Sequence, residues 1–401
     1  MLFVTTVKVL YVAPLFTEDI EERYDVEWYS AAGQNKMKGM IRALSTAGAS
    51  VVVVSPVVPP EALLSYTPAY RTIEPESGAE VIVPPAVSVL WSKLLTRLLV
   101  TLMTMVTVIR LCRRTEVRGS IFYNFRLITA APAFAAQLAT GRPAILEYED
   151  GLFTHRSRPI RLVARGLLRA TDGRLRGALC VNTNLAARLS TDNVAIVRGF
   201  PSVGLPDELP DSAHDSEDVV VMFAGHFDEV RGIDTFLSVV PDVDGEDVTF
   251  WISGTGKDHE IERVRKAVAR LDDDRVMFFG TLPWEQYRER LVSADVLVNL
   301  QDPDAEISEY TFPSKLLDFM SAGGLIVSTD MSDLAETFDD ELLIAGTTHD
   351  EVVETLETAV GMGRSGSGRQ DAGREWVTRN CTSEHIGEAT MEVINAAAVE
   401  S

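Results

Sequence analysis

Two stretches of this 401-residue chain combine residue types able to handle an anion. Ala224 to Leu237 reads AGHFDEVRGIDTFL: a small pair, then a polar loop presenting His226 and Arg231 ahead of a helix opening at Gly232. Arg231 brings a planar five-donor fork suited to a diphosphate, and His226 a second donor for the same group. A surface loop with two polar residues is the plainer reading. Glu309 to Gly324 reads EYTFPSKLLDFMSAGG, with a proline-started helix expected over its middle and two glycines to end it. The free backbone N–H groups of Ser314 and Lys315 in that first turn suit a phosphate, and Asp318, one turn on, suits paired hydroxyls. Between these stretches, Gly254-Thr255-Gly256 and Gly280 to Leu282 end two further apolar runs where missing side chains let a ligand approach the backbone. A lone G-x-G is weak evidence and lacks the third glycine of a dinucleotide fingerprint.

A second group of candidates lies in the N-terminal half. In AILEYEDGLFTH, from Ala144, strand alternation places Glu147 and Glu149 on one side, with Asp150 and His155 just past the strand end. Asp150 and Glu149 are candidates for an acid that orients or deprotonates a nucleophile, His155 for a base, and simple solvation of a loop remains open. The segment Gly33, Gln34, Asn35, Lys36 reads as a loop leading into a helix, placed to approach phosphate or acceptor. Asp302 and Asp304 form an Asp-x-Asp pair, expected by chance among 59 acids, and no other metal-binding pattern, Walker loop or serine nucleophile elbow is present.

Positioning these groups takes two domains. Apolar runs alternate with helix-compatible segments from Lys8 onward: strands at Lys8–Ala13, Ser50–Ser55, Ile121–Asn124, Ala144–Tyr148 and Ala178–Val181. The Pro/Asp/Ser-rich stretch Pro201 to Asp218 reads as a linker, after which the alternation restarts at Val219. Continuous apolar strands between helices mean parallel sheets covered on both faces. The expectation is an α/β protein of two doubly wound Rossmann-like domains facing across a cleft. Residues 1–200 form the first, 201–218 the linker and 219–380 the second, with a helix over 381–401 packing back on the first.

Charge divides the chain. Residues 88–200 hold 17 Lys and Arg against 6 Asp and Glu, whereas residues 201–401 hold 14 against 43, within a net charge of −22. Only seven of the 37 basic residues are lysine, a balance that suits a cytosol rich in salt. Cys112, Cys180 and Cys381 are too far apart for a disulfide framework or zinc site, and the first residues lack a signal-peptide pattern. The expectation is a cytoplasmic location, peripheral at the inner face of the cell membrane, with no nucleic-acid partner. The apolar stretch Val87 to Leu111 has an uninterrupted part, Leu98 to Ile109, of 12 residues, short of the roughly 20 that span a bilayer. A buried core helix and a helix lying in a membrane surface both remain open. Arginines 158, 161, 165 and 169 fall on one helical face, so the basic 88–200 region implies an anionic partner: a membrane surface or a phosphate-bearing acceptor.

Taken in series, the motifs resemble one family. AGHFDEVRGIDTFL, WISGTGKDHEIERV, MFFGTLPWEQYRERLVSADVLVNL and FPSKLLDFMSAGGLIVSTD are similar, in order and spacing over about residues 219 to 345, to the donor half of retaining glycosyltransferases of the GT-B fold, family four (glycosyl transferases group 1). The N-terminal half resembles their acceptor domain more loosely. The resemblance implies an enzyme that moves a sugar, with retention, from a nucleoside diphosphate sugar to a lipid-linked or glycan acceptor, with no resident cofactor and no metal. It implies donor contacts at Gly225, His226, Arg231, Gly254, Gly256, Leu282, Tyr310, Ser314, Lys315 and Asp318, with Asp318 on the ribose and Arg231 in the phosphate clamp. Three departures stand out: Tyr310 where many members carry Glu, with Glu309 one step off; Asp318 where Glu is usual; and His226 for the usual Arg. A nucleotide-sugar epimerase of the same shape and a non-catalytic nucleotide- or lipid-binding member are the alternatives.

Overall fold

The structure, a computed structural model, describes residues 7–24, 31–58, 64–89, 92–114, 116–150, 162, 165–166, 168–169, 171–202, 218–365 and 369–399. His155, Arg158, Arg161 and most of the Pro/Asp/Ser-rich stretch 201–218 lie outside the described residues. The chain divides into two compact units, one of Met1–Phe200 with Cys381–Ser401, the other of Pro201–Asn380.

Unit 1 is built on an eight-stranded sheet. Its strands are β1 (Lys8–Val12), β2 (Ser50–Val54), β4 (Tyr70–Ile73), β5 (Glu80–Val83), β7 (Val117–Tyr123), β8 (Ala144–Tyr148), β9 (Gly177–Cys180) and β10 (Val194–Ile196), in the order β10-β9-β8-β7-β1-β2-β5-β4. All described pairings are parallel except β4 with β5. The run SVVVV of β2 shows why: β-branched side chains suit a pleated surface covered on both faces, and Val51 to Val54 are all buried. A separate antiparallel pair joins β3 (Leu64–Thr67) to β6 (Ala86–Val89). Strand β7 starts four residues before its expected start at Ile121, because Arg118 and Gly119 disguise its first residues as a turn.

One face of this sheet is covered by the helices Ala31–Thr46 and Ser383–Val399, which share a core with Tyr11, Val53, Ile145, Met40, Leu44, Ile386 and Ile394. They pack closely because Gly387 has no side chain: a Cβ there would stand 2.2 Å from the Ala43 carbonyl oxygen. Asn193 secures the same helix by donating to the Val393 carbonyl at 2.9 Å. The helix Lys93–Arg114 packs elsewhere in the unit, on β6 and on the helix Leu127–Thr140.

Unit 2 holds a six-stranded, wholly parallel sheet: β11 (Val219–His226), β12 (Val248–Thr255), β13 (Val276–Gly280), β14 (Val296–Asn299), β15 (Leu325–Thr329) and β16 (Leu343–Ala345). The order β13-β12-β11-β14-β15-β16 reverses direction at β11 and β14. That reversal is the topological switch point, where doubly wound sheets open a crevice at strand C-termini. Phe223, Phe236 and Phe250 meet in the core of the unit, with ring centroids 5.7 and 6.1 Å apart, the first pair tilted and the second edge-to-face.

Candidate active site

The candidate donor residues of unit 2 gather at this switch point. β11 ends at His226, and Asp228 caps the following turn by accepting from the backbone N–H groups of Val230 and Arg231 at 3.1 and 3.0 Å. Gly232 then turns the chain into the helix Ile233–Val239 at φ 84°, and a Cβ there would lie 1.9 Å from the Leu300 carbonyl oxygen. Only glycine satisfies both the angle and the space. The turn fixes Arg231, whose Nη1 donates to Gln301 Oε1 at 2.6 Å. Gln301 is held in turn, its Nε2 donating to Ser308 Oγ at 2.8 Å. Asp228 Oδ2 lies 3.4 Å from His226 Nδ1 and 3.9 Å from Arg231 Nε.

Glycines keep the strand ends open. A Cβ on Gly254 would come within 2.1 Å of the Gly225 carbonyl oxygen, so the ends of β11 and β12 lie too close for any side chain there. Thr281 Oγ1 donates to the Gly254 carbonyl at 2.9 Å, drawing the Gly280–Leu282 turn to the same end of the sheet. Gly256 stands just past β12 beside the Glu260 carboxylate, and Leu282 is half-buried.

The expected proline-started helix is corrected: the helix runs Lys315–Ala322, with Ser314 at its N-cap making no side-chain cap bond. Residues 311–314 carry no regular structure or a single turn, because proline fixes its own φ but cannot by itself close the first helical turn. Ser314 is exposed. Lys315, expected to offer its backbone, instead sends its side chain back along the sheet, where Nζ donates to the Ala224 carbonyl at 3.0 Å beside Gly225. Desolvation, and then the Arg231 guanidinium, lower its pKa to about 7. Asp318 is buried, and its Oδ1 accepts from the Ser202 backbone N–H at 2.5 Å. Tyr310 and Phe312 are buried too. Arg231, Asp318 and Asp228 all bear electrostatically on Lys315, so two basic side chains and two carboxylates meet at this end of the sheet.

Unit 1 has its own polar cluster at the end of β8. Gly33, Gln34, Asn35 and Lys36, expected as a loop, belong to the helix Ala31–Thr46. Gln34 fastens that helix to the turn after β1, accepting from Phe16 N and donating to the Pro14 carbonyl, each at 2.9 Å. Lys36 is buried, paired with Glu149 at 2.6 Å and donating to the Val197 carbonyl at 3.1 Å. Glu149 also accepts from Tyr123 at 2.9 Å, and Asn124, in the left-handed region at φ 53°, receives the backbone N–H groups of Glu149 and Asp150. Glu147 is fully buried and accepts from Tyr11 at 2.5 Å. Burial, then the charge of Glu149, raises the Glu147 pKa to about 8, and local desolvation raises that of Asp150 although the residue is exposed. The unit thus brings Glu149 and Lys36 together with Asp150, while Gln34 is engaged with Phe16 and Pro14 and Asn35 is exposed. Among the described residues no group of three potential metal ligands occurs.

Sequence reasoning missed Asp228, Gln301, Tyr11 and Tyr123. Asp228 was findable as a cap three residues before Arg231. The others depend on which strands become neighbours.

Comparison with solved structures places the chain first by fold. It is similar to the HepE protein of Anabaena in complex with UDP and glucose, at 12% identity and TM-score 0.67 over 97% of this chain and 100% of that one. It is similar to sucrose-phosphate synthase of Thermosynechococcus elongatus at 12% identity and TM-score 0.69, over 98% and 100%. A lipopolysaccharide outer core galactosyltransferase, WaaB, aligns at 12% identity and TM-score 0.63 over 97% and 99%. A search of curated proteins finds no match. The fold is therefore GT-B. Residues 218–361 match the family Glycosyl transferases group 1, so the chain carries a group 1 domain in its second unit and is a glycosyltransferase.

Proposed function

We propose that unit 2 binds a nucleoside diphosphate sugar and that the enzyme transfers its sugar, with retention, to a lipid-linked or glycan acceptor at the cytoplasmic face of the membrane. The observation that carries the donor part is the convergence of Arg231 and Lys315 on the glycine-lined end of β11. A diphosphate leaving group develops charge as the glycosidic bond breaks, and two fixed cations aimed at it stabilise that charge more in the transition state than in the ground state. Gln301 holds the Arg231 fork before any ligand arrives, so little reorganisation opposes the step. Gly225 and Gly254 leave room for the phosphates against the backbone.

Asp318 is the group for the ribose hydroxyls: a buried acceptor one turn into the helix, already engaged by one backbone N–H. His226 supplies a further donor. Gly256, Leu282, Tyr310 and Ser314 line the same site. The chemistry draws on side chains alone and uses no metal. UDP in the structure of the Anabaena protein supports the choice of a nucleoside diphosphate. On the acceptor side we assign Glu149 and Asp150 to the nucleophile and Lys36 to holding Glu149 in place, with His155 as a further candidate.

Incubation with radiolabelled nucleotide sugars and membrane extract tests the whole reading. The wild type is expected to label an acceptor and Asp318→Ala to lose most of that transfer; equal labelling by both would refute the assignment. Calorimetry with UDP and GDP tests the donor site alone.

A further inference from the structure

The helix Lys93–Arg114 is built inside out. Its inward face, packed on β6 and on the helix Leu127–Thr140, holds Thr96, Val100, Thr101, Thr104, Val108 and Cys112. Two of the buried hydroxyls are satisfied within the helix: Thr101 donates to the Arg97 carbonyl at 2.7 Å and Thr104 to that of Val100 at 2.8 Å. Meanwhile Leu94, Leu95, Leu98 and Leu102 stand 68%, 44%, 45% and 48% exposed. Positions 94, 98 and 102 form one outward stripe. A helix that only filled a core would place its leucines inward and its threonines outward.

The charges on the helix say what covers that stripe. It carries Lys93, Arg97, Arg110, Arg113 and Arg114, all exposed, and no acid, in a chain of net charge −22. A basic face set with leucines complements lipid phosphates above acyl chains. The helix is long and apolar enough to cross a bilayer, but its threonine face is taken up by protein. That geometry fits lying in the interface rather than spanning it.

We propose that the outward face of Lys93–Arg114 docks on an anionic bilayer, with Leu94, Leu95, Leu98 and Leu102 in the headgroup–acyl boundary and the basic side chains on lipid phosphates. This rests on the membrane part of the proposed function and on none of its sugar chemistry. In a salty cytosol the Debye length shrinks to about 3 Å at 1 M, so the leucines carry most of the binding.

Sedimentation of the full chain with vesicles of phosphatidylglycerol and phosphatidylcholine tests it, with UDP calorimetry run on the same preparations without lipid. The wild type should partition onto the vesicles and keep much of that binding in about 1 M KCl. The triple substitution Leu94→Gln, Leu98→Gln, Leu102→Gln should lower the partition coefficient by about a hundredfold, with circular dichroism unchanged. Met277→Gln, an exposed apolar residue of unit 2, should leave partitioning alone. Several outcomes overturn the proposal: no vesicle binding by the wild type, equal binding by the triple variant, binding abolished by salt alone, resistance to an alkaline wash, or a dimer dispersed by the leucine changes. A protein that binds UDP but no vesicles loses this inference and keeps its donor site; the reverse result does the opposite.

Discussion

Two desolvated titratable side chains carry opposite pH signatures. Lys315 has a pKa lowered to about 7 by desolvation and by Arg231. The unfolded chain therefore holds the extra proton between about pH 7 and the ordinary 10.5, so the free protein gains stability as pH rises through that window. A bound diphosphate reverses the preference, because its charge favours the ammonium form. UDP binding above pH 7 should then take up a proton and weaken as pH climbs to about 9. Calorimetry in buffers of different protonation enthalpy reads that uptake directly, and Lys315→Met should abolish it. Glu147 works the other way: its pKa is raised to about 8, first by burial and then by Glu149. The folded state holds its proton longer than the unfolded one, so stability falls as pH rises from about 4.5 to 8. Glu147→Gln keeps an acceptor for Tyr11 and removes the ionisation. It should flatten the pH dependence of the unfolding free energy across that range and make the variant the more stable of the two at pH 8. A variant less stable than the wild type at pH 8 would show that the carboxylate is wanted in its charged form.

At the scale of elements, the turn from β11 into the helix Ile233–Val239 decides whether the phosphate clamp exists. Gly232→Ala places a methyl against the Leu300 carbonyl in a left-handed conformation, and a loss of about 2–4 kcal/mol is expected in urea denaturation of unit 2. UDP affinity should drop with it, since Arg231 loses its fixed position. Much of this was legible in the chain. The apolar runs of β2, β8, β11 and β12 declared parallel strands, and the small residues at their ends declared an open crevice. The helix start at Lys315 was not legible, because proline and serine signal a helix opening without fixing its first hydrogen bond. Nor was the lysine's turn toward Ala224, which depends on two elements 91 residues apart in sequence. The Gly33–Lys36 segment misled for a related reason: Gly and Asn read as a loop, yet the Gln34 bonds to Phe16 and Pro14 and the burial of Lys36 outweigh the weak helix propensity of those two residues. In Lys93–Arg114 the apolar character was plain, but which side of the helix held the leucines awaited the sheet it packs on.

Across the whole molecule, charge separates the two units more sharply than any motif does. Residues 1–200 with 381–401 sum to +3, whereas residues 201–380 sum to −25. A compact unit of that charge repels itself, and its described ion pairs are mostly half-exposed, where each contributes little. Screening is the larger lever. Raising KCl from about 0.1 to 1 M shortens the Debye length from about 10 to 3 Å, enough to quiet repulsion between carboxylates on neighbouring turns. Unit 1, nearly neutral, has little repulsion to relieve. Each unit has its own sheet and core, so heating should give two calorimetric transitions. The one from unit 2 should climb by about 5–10 °C over that salt range while the one from unit 1 stays within about 2 °C. Expressing residues 201–380 alone identifies which transition is which, because the fragment should show only the salt-dependent one. Two transitions that rise together would mean that the acidic surplus serves solubility rather than the stability of the unit that carries it.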